Sequence, residues 1–107
     1  MINYQHGRLG DDVDYLDWRL ASGGTVEIMD IVVNSDRRKG VGRKLVSALL
    51  RFHDPLTRVW AITRSENLIA QKFYEALGFD AIPLRRFYSD EKRIDAVMYI
   101  RSAGGPV

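Results

Sequence analysis

The chain has 107 residues, no cysteines, 46% hydrophobic residues and a formal net charge of +2 at pH 7. The absence of cysteine excludes disulfides, a thiol nucleophile and cysteine-bound zinc, and the small charge argues against nucleic acid as the main partner. The only histidines, His6 and His53, lie far apart in sequence, so we expect no metal, and no apolar run reaches the roughly 18 residues that span a bilayer. We expect a single domain over residues 1–101, a flexible tail at 102–107 and a cytoplasmic location, since a cysteine-free chain fits a reducing compartment.

The first third of the chain predicts three strands. Residues from about Ile2 to Leu9 form a weak candidate, and Val13–Leu20 alternates apolar and charged residues as a half-buried strand does. The segment Ser22–Gly24 predicts a hairpin turn. The next segment, Val26–Val33, is almost continuously apolar, which predicts a central strand buried on both faces.

Two acidic residues, Glu27 and Asp30, interrupt this apolar strand. Side chains alternate between the faces of a sheet along a strand. Because the two positions differ by three, we expect their carboxylates to point to opposite faces.

A first helix is predicted from about Gly42 to His53, since apolar residues recur there on one stripe. The stripe comprises Val41, Leu45, Val46, Leu49 and Leu50. A buried strand at Thr57–Ile62 follows. The second helix begins at the N-cap residue Asn67 and ends at Leu77, with Gly78 in the position that often adopts a left-handed conformation. Its apolar stripe is Ile69, Ala70, Phe73 and Leu77, with Tyr74 beside it.

Two final strands are predicted at Phe79–Leu84 and Asp95–Arg101, so the order is three strands, helix, strand, helix, two strands. A strand–helix–strand crossover makes Val26–Val33 and Thr57–Ile62 a parallel pair, whereas the outer hairpins are antiparallel. The predicted fold class is therefore α/β, a mixed and mostly antiparallel sheet with one central parallel pair and two helices.

The loop Arg37–Gly42 joins the apolar strand to the first helix and contains two glycines and three cations. Glycines allow close backbone approach, and the first turn of a helix presents unpaired N–H groups with a partial positive charge. Such a junction binds anions, most often phosphate, although an ordinary turn on a basic surface has the same composition. A nucleotide site for ATP or GTP is a weaker alternative, because the chain lacks the Gly-x-x-x-x-Gly-Lys-Ser/Thr pattern.

Two motifs in order resemble a known family. Arg37-x-x-Gly40-x-Gly42 is similar to the Gln/Arg-x-x-Gly-x-Gly/Ala motif of the GNAT acetyltransferases, which use acetyl-CoA, and Asn67-x-x-Ala70-x-x-Phe73-Tyr74-x-x-Leu77-Gly78-Phe79 is similar to a later segment of that family. The resemblance covers roughly residues 26–101. Three later segments are Gly78-Phe79, Arg85-Arg86-Phe87-Tyr88 and Asp95-Ala96-Val97-Met98. They resemble the end of the ribosomal-protein N-terminal-alanine acetyltransferases, except that Ser89 stands where those enzymes usually carry a second tyrosine.

The resemblance implies a site for acetyl-CoA. Backbone N–H groups from Arg38 to Arg43 would hold the pyrophosphate, while the cationic side chains contact the 3′-phosphate or stay solvated. The backbone of Ile31, Val32 and Val33 would pair with the pantetheine arm at an open sheet edge and polarise the thioester carbonyl. Asn67 would contact the pantetheine, cap the helix, or do both. The implied cofactor-binding residues are Ile31, Val32, Val33, Arg38, Lys39, Gly40, Val41, Gly42, Arg43, Asn67 and Phe73.

The resemblance makes Tyr74 the candidate general acid, because a phenol can protonate the thiolate that leaves acetyl-CoA. The alternative is a core aromatic residue of an amphipathic helix. Glu27 is the candidate base on the preceding strand, and the alternative is an exposed or ion-paired residue. Other family members place a glutamate at the position of Ile62. Water relayed through Glu27 or Asp30, or no dedicated base, stays open.

The acceptor is less constrained than the donor. Arg85, Arg86 and Tyr88 lie in a loop that covers the acceptor in relatives, and two arginines suit an acidic or peptide-like acceptor, although a solvated hairpin loop would look the same. Only about 25 residues precede Val26, fewer than the strand and two helices that usually begin family members. We therefore expect an acceptor side that is open or closed by another subunit, with a homodimer as one form.

The leading hypothesis is an N-acetyltransferase that acts on a primary amine, with a protein N-terminus or lysine ranked above a small amine. The alternative from another class is a non-catalytic coenzyme A binding or interaction module. Tyr74 and Glu27 together favour the enzyme, because a binding module needs neither residue.

Overall fold

The computed structural model describes residues 5–35, 40–53, 57–85 and 95–101. Within these ranges it contains β1 (His6–Gly10), β2 (Asp14–Ala21), β3 (Thr25–Val33), α1 (Val41–Phe52), β4 (Val59–Arg64), α2 (Leu68–Ala76), β5 (Asp80–Leu84) and β6 (Ala96–Arg101). A short 3-10 turn, Ser22–Gly24, joins β2 to β3. The predicted order of elements is confirmed. The first strand begins at His6, later than predicted, and residues 1–4 lie outside the described part of the chain.

The strands form one sheet in the order β1-β2-β3-β4-β6-β5. β3 and β4 are parallel, and the four other neighbouring pairs are antiparallel. The predicted mixed α/β sheet with one central parallel pair is therefore confirmed.

The two helices begin and end where local chemistry favours it. Gly40 precedes α1 in the left-handed conformation (φ 69°), which a residue with a Cβ adopts less readily. Asn67 caps α2, because its side chain accepts a hydrogen bond from Ala70 N at 3.1 Å. At the other end Gly78 has φ 84°, and Phe79 N donates to Tyr74 O at 3.1 Å, which closes the last turn as predicted.

Both helices pack on the same face of the sheet. The Trp18 ring of β2 lies 5.5 Å from Phe52 and 4.6 Å from His53 at the end of α1, and the Tyr99 ring of β6 stacks on Tyr74 of α2 at 5.4 Å. The pairing of neighbouring strands puts the side chains of Trp18 and Tyr99 on one face. The core lies between this face and the helices, and no helix in the described ranges covers the opposite face.

This one-sided packing corrects the prediction that β3 is buried on both faces. Val26 and Ile28 are buried, but Met29 is 48% exposed and Asp30 is exposed. The apolar sequence of β3 predicted burial, whereas the placement of both helices on one side leaves these residues accessible.

The prediction that Glu27 and Asp30 point to opposite faces is also wrong. Asp17 pairs with Asp30 whereas Trp18 pairs with Ile28, so β3 contains one extra residue at this bulge. Glu27 pairs with Arg19, and Asp30 pairs with Asp17, two residues away on β2. Because cross-strand partners share a face, the extra residue brings both carboxylates to the face that lacks a described helix.

Candidate functional site

The parallel strands β3 and β4 separate soon after they meet. Their register pairs only Val26 with Val59 and Glu27 with Trp60. Beyond this point β3 continues to Val33 and β4 continues to Arg64 without further pairing between them. The sheet therefore opens in its centre, and the backbone of Ile31–Val33 forms the kind of free strand edge that pairs with an extended ligand.

A groove of about 520 Å³ lies where the strands separate, between β3 and the two helices. Its walls are mostly apolar and come from Ile31, Val33, Gly40, Gly42, Arg43, Asn67, Ile69, Ala70, Phe73, Ala76 and Leu77. Seven of these are predicted cofactor-binding residues, namely Ile31, Val33, Gly40, Gly42, Arg43, Asn67 and Phe73. Of the four other predicted cofactor-binding residues, Val32 and Val41 are sequence neighbours of groove residues but do not line the groove. Arg38 and Lys39 lie outside the described residues.

The N-terminus of α1 is directed at one end of this groove. In the described part of the chain the hydrogen bonds of α1 begin with Lys44 N to Gly40 O at 3.1 Å. The N–H groups of Val41, Gly42 and Arg43 come before this bond, in the first turn of the helix, where N–H groups have no acceptor within the helix. Gly40, the N-cap residue, has no side chain that could cap this end. The N–H groups of a first turn and the positive end of a helix together favour a bound anion such as a phosphate.

Gly42 packs closely against the Phe73 ring. A Cβ at this position would lie 2.9 Å from Cε1 of Phe73, closer than real side chains approach. The first turn of α1 therefore meets the Phe73 ring of α2 directly. This contact joins the two helices at the groove, so the second glycine of the motif sets the distance between its walls.

Asn67 caps α2 and also lines the groove, so capping is confirmed and contact with the pantetheine stays a prediction. The cap is made by its Oδ1, which accepts a hydrogen bond from Ala70 N. Gln71 holds the same end of the helix, since its Nε2 donates to the carbonyl oxygens of Ser65 at 2.6 Å and Arg64 at 3.3 Å. The cap thus fixes the groove wall where β4 passes into α2.

Four groove residues were not predicted as ligand contacts: Ile69, Ala70, Ala76 and Leu77. Ile69, Ala70 and Leu77 belong to the predicted apolar stripe of the second helix. Leu77 is buried, but Ile69 is 70% exposed. Helical periodicity shows which residues share a stripe, but it does not show whether the stripe faces the sheet or a groove.

Tyr74 is buried next to the groove and does not line it. Only 4% of the residue is exposed, and its ring contacts Phe73, Phe79 and Tyr99 at 5.2–5.4 Å. Burial, and secondly the negative charge of Asp30, raise the pKa of the Tyr74 hydroxyl well above its ordinary value. The phenol is therefore protonated at neutral pH, as a general acid must be.

Glu27 is ion-paired. Its Oε1 accepts a hydrogen bond from Nε of Arg19 at 2.7 Å, and its side chain is 12% exposed. The structure therefore shows Glu27 as an ion-paired residue, which was the alternative to a catalytic base. Its role as a base stays a prediction. Asp30 lies on the same face and is exposed, and its charge acts on Tyr74.

The predicted acceptor residues fall largely outside the described ranges. Arg85 is exposed at the end of β5, and Arg86 and Tyr88 belong to residues 86–94, which the structure does not describe. In the described part of the chain no group of three or more acidic or histidine side chains could hold a metal ion. No described helix is long and apolar enough to cross a membrane.

The sequence profile of the acetyltransferase (GNAT) family matches residues 6–79. This match contains both the groove and the opened strand pair. The comparison with curated proteins found no match.

Solved structures share the fold. The ribosomal-protein-S18-alanine N-acetyltransferase from Escherichia coli is 20% identical with a TM-score of 0.72, over 99% of this chain and 74% of that chain. Ard1 from Thermoplasma volcanium is 26% identical with a TM-score of 0.71, over 87% of this chain and 64% of that one. NAA60 from Arabidopsis thaliana in complex with acetyl-CoA is 17% identical with a TM-score of 0.69, over 84% and 65%, and has also been solved with a bisubstrate analogue. The chain thus spans 64–74% of the length of these three proteins.

Proposed function

Because the chain belongs to the GNAT acetyltransferase family, we propose that it transfers the acetyl group of acetyl-CoA to a primary amine, in particular a protein or peptide amine. Membership confirms the family resemblance that the two sequence motifs predicted, and with it the class of acyltransferase enzymes.

The observation that carries the proposal is the groove between the separated strands, with a helix N-terminus at one end. Acetyl-CoA combines a pyrophosphate with an extended pantetheine arm and an activated thioester carbonyl. The N–H groups in the first turn of α1 suit the pyrophosphate, and the apolar channel beside the free edge Ile31–Val33 suits the arm. NAA60, which has a similar fold, has been solved with acetyl-CoA.

The residues at the opening of the sheet supply two parts of the chemistry. Backbone N–H groups of β3 polarise the thioester carbonyl as an oxyanion hole does. The Tyr74 hydroxyl gives its proton to the sulfur that leaves as the nitrogen of the amine bonds to the acetyl carbon. The raised pKa of Tyr74 keeps this proton in place until negative charge develops on sulfur.

The ammonium form of the acceptor must lose a proton before it attacks. Glu27 and Asp30 share the open face of the sheet, so a carboxylate is available on the side from which a large acceptor can approach. Glu27 is our candidate base, acting directly or through water, although its ion pair with Arg19 occupies one of its oxygens. An amine that is already neutral needs no base. Such an acceptor can attack without Glu27, alongside the route in which Glu27 removes the proton.

A protein or peptide acceptor is favoured by the accessibility of this face. Met29 and Asp30 are exposed, and no helix in the described ranges covers them. NAA60 has been solved with a bisubstrate analogue, and the Escherichia coli relative is named for an alanine of a ribosomal protein. Arg85, Arg86 and Tyr88 are proposed acceptor contacts, and a homodimer and a cytoplasmic location stay predictions.

A second function is favoured by one specific observation, the burial of Tyr74. A general acid must reach the sulfur, yet Tyr74 is 4% exposed and does not line the groove. A non-catalytic coenzyme A binding module would have the same groove and no accessible acid. In the enzyme, the thioester itself occupies the opening between the strands and meets the hydroxyl there.

Two measurements separate these functions. The melting temperature is recorded with acetyl-CoA, coenzyme A and ATP, since a ligand that binds only the folded protein raises it. Acetyl transfer is then assayed over a panel of peptides with free N-termini, lysine peptides and small amines. We expect stabilisation by acetyl-CoA and coenzyme A but not by ATP, and transfer to peptides. Stabilisation without transfer to any amine indicates the binding module, and no stabilisation by acetyl-CoA contradicts both.

A further inference from the structure

The start of β2 is hydrogen-bonded to the chain that leaves β3. Asp14 Oδ1 accepts hydrogen bonds from Asn34 N at 2.8 Å and Ser35 N at 3.0 Å, and Asp14 Oδ2 accepts one from Ser35 Oγ at 2.5 Å. Asn34 in turn donates from Nδ2 to Val13 O at 3.1 Å. Four hydrogen bonds therefore join two segments that are about twenty residues apart in sequence.

Asp14 lies beside a residue of the groove wall, so its contacts bear on the shape of the groove. The backbone of Asp14 pairs with Val33, which lines the groove, while its carboxylate holds the next two residues, Asn34 and Ser35. Only residues 36–39 separate Ser35 from Gly40, where the groove resumes at the N-terminus of α1. The Asp14 side chain thus holds the chain at Asn34 and Ser35, directly after the groove residue Val33.

Asp14 is itself held in place. Asp11 Oδ1 accepts hydrogen bonds from the backbone N–H groups of Val13 and Asp14, both at 2.8 Å, and Asp11 N donates to Asp14 O at 2.9 Å. The Ser35 hydroxyl, followed by the Ser35 and Asn34 N–H groups, lowers the pKa of the Asp14 carboxyl. The carboxylate is therefore ionised at neutral pH, the form that accepts these hydrogen bonds best.

We propose that Asp14 is a positioning residue for the coenzyme site: by holding Asn34 and Ser35, its carboxylate sets where the free strand edge Ile31–Val33 ends. The inference rests on the proposed function, since it assumes that the groove binds coenzyme A. Its physical basis is preorganisation. A strand edge whose next two residues are already held in place has less conformational freedom to lose when an extended ligand pairs with it.

The test measures the dissociation constant of coenzyme A by calorimetry, together with the urea midpoint of the unliganded protein. Asp14→Ala removes all three acceptor contacts and is expected to weaken coenzyme A binding at least tenfold. Asp14→Asn keeps the Oδ1 acceptor for both N–H groups and should restore binding to within about threefold of the wild type. Ser35→Ala removes the hydroxyl contact alone and should weaken binding by about two- to fivefold.

The matched control is Asp17→Asn, which lies on the same strand and breaks an exposed ion pair with Arg8 at 2.7 Å that does not touch Asn34 or Ser35. It should leave the dissociation constant unchanged. Equal weakening by Asp17→Asn and Asp14→Ala, or binding by Asp14→Ala within twofold of the wild type, overturns the proposal. If Asp14→Ala does not fold, Ser35→Ala decides the matter, and unchanged binding by that variant overturns it. A wild-type protein that does not bind coenzyme A contradicts the proposed function instead, so the two failures are distinguishable.

Discussion

The first turn of α1 and the Phe73 ring of α2 are in contact because residue 42 is glycine: a Cβ at Gly42 would lie 2.9 Å from Cε1 of Phe73. Both residues line the groove. The small size of one residue and the ring of the other therefore set the width of the site together.

Gly42→Ala should impair ligand binding more than stability. Alanine favours the helix over glycine by up to about 1 kcal/mol, which offsets part of the roughly 1–3 kcal/mol cost of overpacking, so we expect the free energy of unfolding to change by less than about 2 kcal/mol. The displaced Phe73 ring should narrow the groove and weaken coenzyme A binding about tenfold, or roughly 1.4 kcal/mol. Calorimetry and urea unfolding measure the two effects.

A double variant tests whether the ring is the cause. Gly42→Ala with Phe73→Leu should bind coenzyme A better than the sum of the two single effects predicts, because leucine leaves room for the new methyl group. Lys44→Ala, an exposed change in the same turn, should leave binding unchanged. Additive effects in the double variant would show that Gly42 acts through something other than Phe73.

Tyr74→Phe should lower turnover by about 100-fold, because the departing sulfur loses its proton donor. The dissociation constant of acetyl-CoA should stay nearly the same, since Tyr74 does not line the groove. The control is Tyr99→Phe. The Tyr99 ring stacks on Tyr74, and its hydroxyl, which this change removes, donates a hydrogen bond to Glu75 at 3.1 Å. Single-turnover kinetics measure the rate of acetyl transfer itself. Equal rates for Tyr74→Phe and the wild type would show that Tyr74 is not the general acid.

The protein should lose stability in alkali partly because of Tyr74. Burial and the charge of Asp30 raise the pKa of Tyr74 in the folded state, so the contribution of its protonated form is complete below the unfolded pKa of about 10. That contribution declines as the pH rises above about 10, because the unfolded chain releases the proton first. Tyr74→Phe should show a shallower loss of unfolding free energy between about pH 10 and 11 in urea titrations. The loss should not vanish, since burial also raises the pKa of Tyr99.

Acidification should destabilise the protein through His53. Its Nε2 is buried without a hydrogen-bond partner in the described part of the chain, and burial lowers its pKa. The stability it confers is therefore complete above the unfolded pKa of about 6.5 and is lost as the pH falls below that value, with a slope of at most about 1.4 kcal/mol per pH unit. Urea unfolding between about pH 7 and 5 measures it.

The matched variant His53→Phe keeps an aromatic ring against Trp18 and Phe52 but cannot titrate. It should show a flatter stability curve in this range, whereas His6→Gln, at an exposed position, should keep the wild-type slope. An unchanged slope in His53→Phe would contradict the assignment.

Glu27→Gln should lower turnover by about 100-fold near pH 7 if this carboxylate accepts the proton of the acceptor amine. The loss should shrink as the pH approaches the pKa of the amine, because a neutral amine needs no base. Arg19→Gln breaks the same 2.7 Å ion pair but keeps the carboxylate, so it should retain most of the activity. If Glu27→Gln and Arg19→Gln lower turnover equally, Glu27 acts through its structural ion pair with Arg19 and not as a base.

Local patterns in the sequence determined the elements and much of the donor site. Asn67 predicted the start of α2, Gly78 predicted its end, and Gly40 and Gly42 marked the start of α1, the proposed phosphate contact. These features depend on backbone geometry within a few residues, so they can be read along the chain. The order of strands and helices then implied the parallel pair that opens to form the groove.

Only the tertiary structure decided what each side chain faces. One extra residue in β3 moved Asp30 to the same face as Glu27, and the packing of both helices on the other face left it exposed. Ile69 lines the groove and is not part of the core, and the carboxylate of Asp14, at the start of β2, holds Ser35. Such contacts join residues that are distant along the chain, and their geometry depends on bulges and helix placement that no local pattern records.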